Sequence, residues 1–174
     1  DHTRALSTIK AIEQFDVYFV EAPLPPDSLE AYAKLADEVE TRIACGDGGF
    51  TTRFEYRDLI ERGKVDVVQP SAVRSGGITE ILRIASMAHE KGKLCIPHSY
   101  AWTIGVATEI HLAAVTPNMP YIEMPSPYPY SPLVSQLLEP ALRIKNGYLE
   151  VPNEAGLGFK LNEKIVEKYQ VEPF

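Results

Sequence analysis

Apolar runs that stop on a polar side chain recur along the chain at a near-constant interval. Val17-Tyr18-Phe19-Val20 ends on Glu21, and Pro23 prevents that strand from continuing far. Arg42-Ile43-Ala44-Cys45-Gly46 ends on Asp47, Val65 to Pro70 on Ser71, Leu94-Cys95-Ile96-Pro97 on His98, and Tyr121-Ile122 on Glu123. The polar ends at 21, 47, 71, 98 and 123 are 26, 24, 27 and 25 residues apart, and each interval holds one helical pattern. Such a repeat predicts βα units in a parallel sheet, with Glu21, Asp47, Ser71, His98 and Glu123 sharing the face at the C-terminal strand ends.

The helical patterns are explicit. Ala5, Leu6, Ile9, Ile12 and Phe15 have helical spacing, with Asp1 or Thr3 as cap. After Pro23-Leu24-Pro25-Pro26, Asp27 or Ser28 can cap a helix showing Leu29, Tyr32, Leu35, Ala36 and Val39. Thr51 or Thr52 opens a third, with Phe54, Leu59 and Ile60 inward and Gly63 as its stop. Beyond Ser75-Gly76-Gly77, a long helix presents Ile78, Ile81, Leu82, Ala85 and Ala88 and ends at Gly92, and Thr103 opens another with Ile104, Ala107, Ile110, Ala114 and Val115. Pro125 to Pro132 reads as loop, and Leu142 to Val151 as a hairpin about Asn146-Gly147. The expected fold is α/β: a partial TIM-type (β/α) barrel over residues 1–132, then a C-terminal segment, 133–174, outside the repeat. A closed parallel barrel has about eight strands in roughly 250 residues, so five strands imply some three further units before Asp1, or an open sheet that imitates half a barrel.

Composition narrows the class. With 174 residues, 45% hydrophobic and 24% charged, the chain can bury a real core. A net charge of −7 and no basic stripe argue against nucleic acid or an anionic membrane as partner. No apolar stretch approaches the roughly 20 residues of a membrane helix, and Asp1-His2-Thr3-Arg4 does not start a signal peptide. Cys45 and Cys95 fall in expected core strands and no Asn-x-Ser/Thr sequon occurs, which suits a reduced, cytoplasmic setting.

The strand-end residues have chemistry in common. Glu21 and Asp47 are hard oxygen donors of the kind Mg²⁺ prefers, and His98 can give or take a proton near neutral pH. Each also has a structural reading: Glu21 as a solvated strand end, Gly46-Asp47-Gly48-Gly49 as a tight turn, His98 as a buried ring bonded to backbone. The glycine cluster lacks the features of a phosphate loop or a dinucleotide fingerprint, and no elbow motif makes Ser71 a nucleophile. His2, His89 and His111 read as structural.

Phe19-Val20-Glu21-Ala22-Pro23, Gly46-Asp47, Val67-Val68-Gln69-Pro70 with Arg74-x-Gly76-Gly77-Ile78-Thr79-Glu80, Pro97-His98-Ser99 and Gly156-Leu157-Gly158-Phe159 occur in an order and spacing that resembles the mandelate racemase / muconate lactonizing enzyme group of the enolase superfamily. The resemblance implies the C-terminal part of a modified (β/α)7β barrel, with the 133–174 segment packing on barrel and capping domain. It implies Mg²⁺ held by three strand-end carboxylates, with Glu21 matching the second ligand and Asp47 the third. The first ligand, and a second acid/base group, would precede Asp1. His98 would be the acid/base, with Ser71, which can hydrogen-bond to the ring or the substrate, at the position where the family usually has Asp. Glu123, protonated, would donate to the substrate carboxylate. The implied reaction removes a proton α to a carboxylate through an enediolate stabilised by Mg²⁺. The protein would be an acid-sugar dehydratase (a lyase) or a racemase/epimerase (an isomerase) acting on a small carboxylate, and a homo-oligomer. A catalytically incomplete or inactive relative and a metal-dependent aldolase remain as alternatives. In this scheme Glu21 and Asp47 point into one pocket, and His98 stands a substrate's width from the ion.

Overall fold

The computed structural model describes residues 1–98, 103–124 and 135–171. Helix α1 (His2–Ile12) starts where the Asp1 carboxylate accepts the Arg4 N–H at 2.9 Å. A 3₁₀ turn (Glu13–Phe15) leads to strand β1 (Val20–Glu21). There follow α2 (Leu29–Glu38), β2 (Ile43–Cys45), α3 (Arg53–Glu61), β3 (Val67–Val68), α4 (Gly77–Glu90), β4 (Leu94–Cys95) and α5 (Thr103–Val115). Helix α3 opens on a capping box in which Thr52 and Glu55 satisfy each other's backbone N–H groups.

The four strands form one parallel sheet in the order β1-β2-β3-β4, with Val20 opposite Ile43, Ala44 opposite Val67 and Val67 opposite Leu94. Helices α2, α3 and α4 bury Tyr32, Leu35, Tyr56, Leu59, Ile81, Ile84 and Ala88 against it. This is the parallel α/β barrel-type architecture the repeat predicts, with a strand fewer than expected. Tyr121 to Glu123 form no strand. Pro120, immediately before them, has no N–H to offer a ladder, and Asn118 is tied to the β4 segment by the Cys95 N–H on its carbonyl and by its own Nδ2 on the Lys93 carbonyl, both at 2.9 Å. The expected loop from Pro125 to Pro132 lies outside the described residues.

Several inward-facing expectations also need correction. Phe54, Ile78, Leu82, Ile104, Ala114 and Val115 are exposed, as is Phe15 at 70%. On α3 the buried aromatic is Tyr56, because its hydroxyl finds carbonyl partners beneath the sheet end; Phe54 stays outside under the Arg53 guanidinium, 4.8 Å from its ring centre.

Beyond residue 134, strands β5 (Leu138–Glu139) and β8 (Lys160–Leu161) pair antiparallel, and β6 (Ile144–Lys145) and β7 (Tyr148–Leu149) form the expected hairpin, with Asn146 and Gly147 at φ of 53° and 80°. Helix α6 (Glu163–Tyr169) closes the described chain. This segment packs on α5: Leu138 and Leu142 share a cluster with Val106, Ala107 and Ile110. His111 is a structural contact, its Nε2 3.0 Å from the Leu157 carbonyl. Both cysteines are buried and free. Among the described residues no helix is long and apolar enough to cross a membrane.

Candidate active site

A parallel sheet delivers its strand ends to the same edge, so the site is built from residues at the ladder's end or up to three residues past it. Glu21 is the last residue of β1, and the ladder continues through the Ala22 N–H to the Ala44 carbonyl at 2.9 Å. Ala22 then turns at a positive φ of 44°, which directs the chain away into the proline run.

Strand β2 ends through Gly46, at φ 140°, into Asp47. A Cβ on Gly46 would sit 2.7 Å from the Tyr56 ring and 2.8 Å from the Gln69 nitrogen, so only glycine lets the end of β2 lie this close to β3. The Tyr56 hydroxyl donates to the Gly46 carbonyl at 2.7 Å from below. Burial pushes the Tyr56 phenol above its ordinary value, so it stays a neutral donor. Strand β4 is prolonged by Ile96 N–H to the Val68 carbonyl and His98 N–H to the Pro70 carbonyl, both 3.0 Å, which fixes the His98 backbone at the sheet edge.

The four acidic and basic side chains meet there. His98 Nδ1 lies 2.7 Å from Glu123 Oε2 and 3.9 Å from Glu21 Oε1, while Nε2 lies 3.5 Å from Asp47 Oδ2. The bond to Glu123 is the largest influence raising the His98 pKa above the ordinary value, opposed by partial burial and aided by the charges of Glu123, Asp47 and Glu21. The imidazole stands directly against the three carboxylates. The physical reason is charge: three carboxylates converge on the one titratable base they surround. Glu123 likewise reaches His98, without a strand of its own to carry it.

Glu21 and Asp47 line one cavity of about 320 Å³ with Gln69 and Gly46. Ligand atoms of Glu21, His98 and Glu123 all lie within 4.8 Å of one another. Glu21 and Glu123 contribute carboxylate oxygens to that set and His98 a ring nitrogen; with Asp47 lining the same cavity as Glu21, the carboxylates are hard oxygen donors of the kind Mg²⁺ takes, and Glu21 and Asp47 fit the ion by their chemistry. Asp47 is outside that close set; its Oδ1 accepts from Arg74 Nη1 at 2.8 Å. Ser71 is buried, and its backbone builds the turn that carries Arg74: its carbonyl accepts from the Arg74 and Ser75 N–H groups at 3.0 and 2.8 Å.

Sequence reading gave no role to Arg74, or to Gln69, whose Nε2 donates to Glu21 Oε2 at 3.1 Å. A signal for Gln69 was present: it is a polar residue inside the apolar run Val65 to Pro70. Arg74 lies in a loop, where spacing says nothing about which strand end a long side chain reaches.

A parallel α/β sheet with carboxylates and a histidine at its C-terminal edge is the layout of a barrel enzyme. The chain belongs to the enolase C-terminal domain-like family, whose model matches residues 1–165. It is 33% identical over 95% of its length to an arabinonate dehydratase of Saccharolobus solfataricus, covering 43% of that protein. To a D-gluconate dehydratase of Thermoproteus tenax it is 33% identical over 97% of its length, covering 34%. Among solved structures it resembles a mandelate racemase/muconate lactonizing enzyme from a Jannaschia species, with TM-score 0.89 and 29% identity, covering 100% of this chain and 44% of that one. It also resembles an L-talarate dehydratase from a Polaromonas species complexed with Mg and L-glucarate, with TM-score 0.84 and 31% identity, covering 99% and 44%. The chain thus spans less than half the length of these relatives.

Proposed function

We propose that this chain supplies one side of the active site of an Mg²⁺-dependent acid-sugar dehydratase, with racemisation as the related outcome. The carrying observation is His98 held at the sheet edge among Glu21, Asp47 and Glu123. The names of the relatives, arabinonate, D-gluconate and D-galactonate dehydratase, favour dehydration of a sugar acid.

Glu21 and Asp47 are the ligands this chain offers the cation, which when bound lowers the cost of negative charge on a substrate carboxylate. His98 handles the proton. Its raised pKa suits it to hold a proton near neutral pH and deliver it to the β-hydroxyl as that C–O bond breaks, so that water leaves from the enediolate formed when an acid/base group elsewhere in the full-length protein takes the α-proton. Glu123 holds the ring among the carboxylates through its 2.7 Å contact with Nδ1, and in its protonated form can donate to the substrate carboxylate. Ser71 offers no charge to the imidazole, which leaves Glu123 as the carboxylate closest to it. Within this reading residues 1–132 are the barrel part, 133–174 pack over it, the protein works as a cytoplasmic homo-oligomer, and the remaining ligand lies elsewhere in the full-length protein.

The test is a screen of sugar acids against the full-length protein with and without Mg²⁺, scoring 2-keto-3-deoxy acid formation. Expected is metal-dependent turnover of at least one aldonate, reduced by about 10²–10⁴ in His98→Asn with little change in melting temperature. Turnover unaffected by His98→Asn would overturn the assignment.

A further inference from the structure

Gln69 is polar, buried to 1% exposure and placed where an apolar residue would be the ordinary choice. Its backbone is fixed by two neighbours. The Gln69 N–H donates to the Cys45 carbonyl at 3.0 Å, and glycine at 46 leaves room for that approach. From this fixed point Nε2 reaches Glu21 Oε2 at 3.1 Å, across the intervening strand β2. The opposite amide orientation would set two oxygens against each other, so the N–H is the group that faces Glu21. Gln69 Oε1 is buried without a hydrogen-bond partner among the described residues. Such an amide costs stability that an isosteric apolar side chain would spare, so the residue type serves something other than packing.

Resting on the metal reading given above, we infer that Gln69 is a positioning residue for the cation site: its amide N–H holds one oxygen of Glu21 and thereby presents the other to the metal. The geometry divides the carboxylate in this way. Oε2 is taken by Gln69, and Oε1 faces the His98 cluster at 3.9 Å from Nδ1. A glutamate at a strand tip has three rotatable bonds and 37% side-chain exposure, so without the amide it is free to swing to solvent. A buried donor removes that freedom before the ion arrives. Partners of metal ligands that act in this manner change affinity without touching the metal.

The decisive comparison is Mn²⁺ binding, by calorimetry or electron paramagnetic resonance, in the full-length wild type, Gln69→Met and Glu21→Gln, with melting temperatures alongside. Gln69→Met keeps length and burial but removes the N–H. It is expected to bind Mn²⁺ about ten- to a hundredfold more weakly while melting at or above the wild-type temperature. Equal affinity in Gln69→Met overturns this inference alone. A wild type that takes up no Mn²⁺, or a Glu21→Gln that binds as tightly as wild type, overturns the metal reading and this inference with it. A metal-free measurement covers the case in which Gln69→Met does not fold. In the wild type one Gln69 side-chain amide proton should exchange slowly with solvent in ¹⁵N NMR, and its resonance should move in Glu21→Gln. An amide pair that exchanges freely and is unmoved by that substitution refutes the bond on which the inference stands.

Discussion

At the scale of single residues, the site depends on groups that carry no charge. Gly46 sets how near β2 comes to β3, and Tyr56 holds the Gly46 carbonyl at 2.7 Å. Gly46→Ala would put a methyl group 2.7 Å from the Tyr56 ring and 2.8 Å from a backbone nitrogen, in a backbone conformation that itself costs about 1–3 kcal/mol for a non-glycine residue. The expected outcome is a large drop in chemical-denaturation midpoint together with lost metal binding, since Asp47 and Gln69 both hang from this contact. Tyr56→Phe is the milder probe. It leaves a buried carbonyl with one donor fewer and should cost about 1–3 kcal/mol, read from the same denaturation curves.

At the scale of elements, each helix returns the chain to the base of the next strand, and its start is set by local chemistry. In α3 the Glu55 carboxylate accepts from the Thr51 and Thr52 N–H groups at 2.9 and 2.8 Å, bonds that hold its pKa below the ordinary value. A carboxylate with a lowered folded-state pKa contributes stability above its unfolded value and loses it as pH falls through the lowered one. The melting-temperature gap between wild type and Glu55→Gln should therefore be widest near neutral pH and narrow under acid. Thr52→Ala removes the other half of the box and should cost about 1 kcal/mol. A gap that does not change from pH 7 to pH 3 would remove Glu55 from this role.

At the scale of the whole molecule, the described sheet ends at β1, with no described strand beyond it, and at β4, whose outer side bonds the Asn118 carbonyl through the Cys95 N–H but carries no further strand among the described residues. Tyr18, at 41% exposure, and Tyr121, at 56%, stack edge to face near the β1 side with ring centres 5.2 Å apart. Unpaired parallel strands recruit partners, so residues 1–174 produced alone should self-associate, and sedimentation showing a monodisperse monomer at high concentration would contradict this. The same piece should show no measurable turnover of sugar acids. The relatives are more than twice as long, and catalytic groups that act as a unit fail together when some are removed.

The sequence alone determined the period of the βα repeat, five candidate strands of which four form, helix starts narrowed to Asp1 or Thr3 and to Thr51 or Thr52, the turn at Asn146-Gly147, and the polar residues near the strand ends. These are local consequences of side-chain periodicity, capping and proline geometry, so they are readable without neighbours. The tertiary structure decided what the periodicity left degenerate. On α3 both Phe54 and Tyr56 are aromatic, and the carbonyls below the sheet selected Tyr56. Near Glu123 the apolar pair Tyr121-Ile122 looked like a strand, yet with Pro120 immediately before it no ladder forms. The strand-end residues were legible, but not the partners each would take: His98 close against the carboxylates, Gln69 on Glu21, Arg74 on Asp47. Those pairings join residues 25 to 77 positions apart, and side-chain reach across strands is fixed by register and burial, which no local pattern encodes.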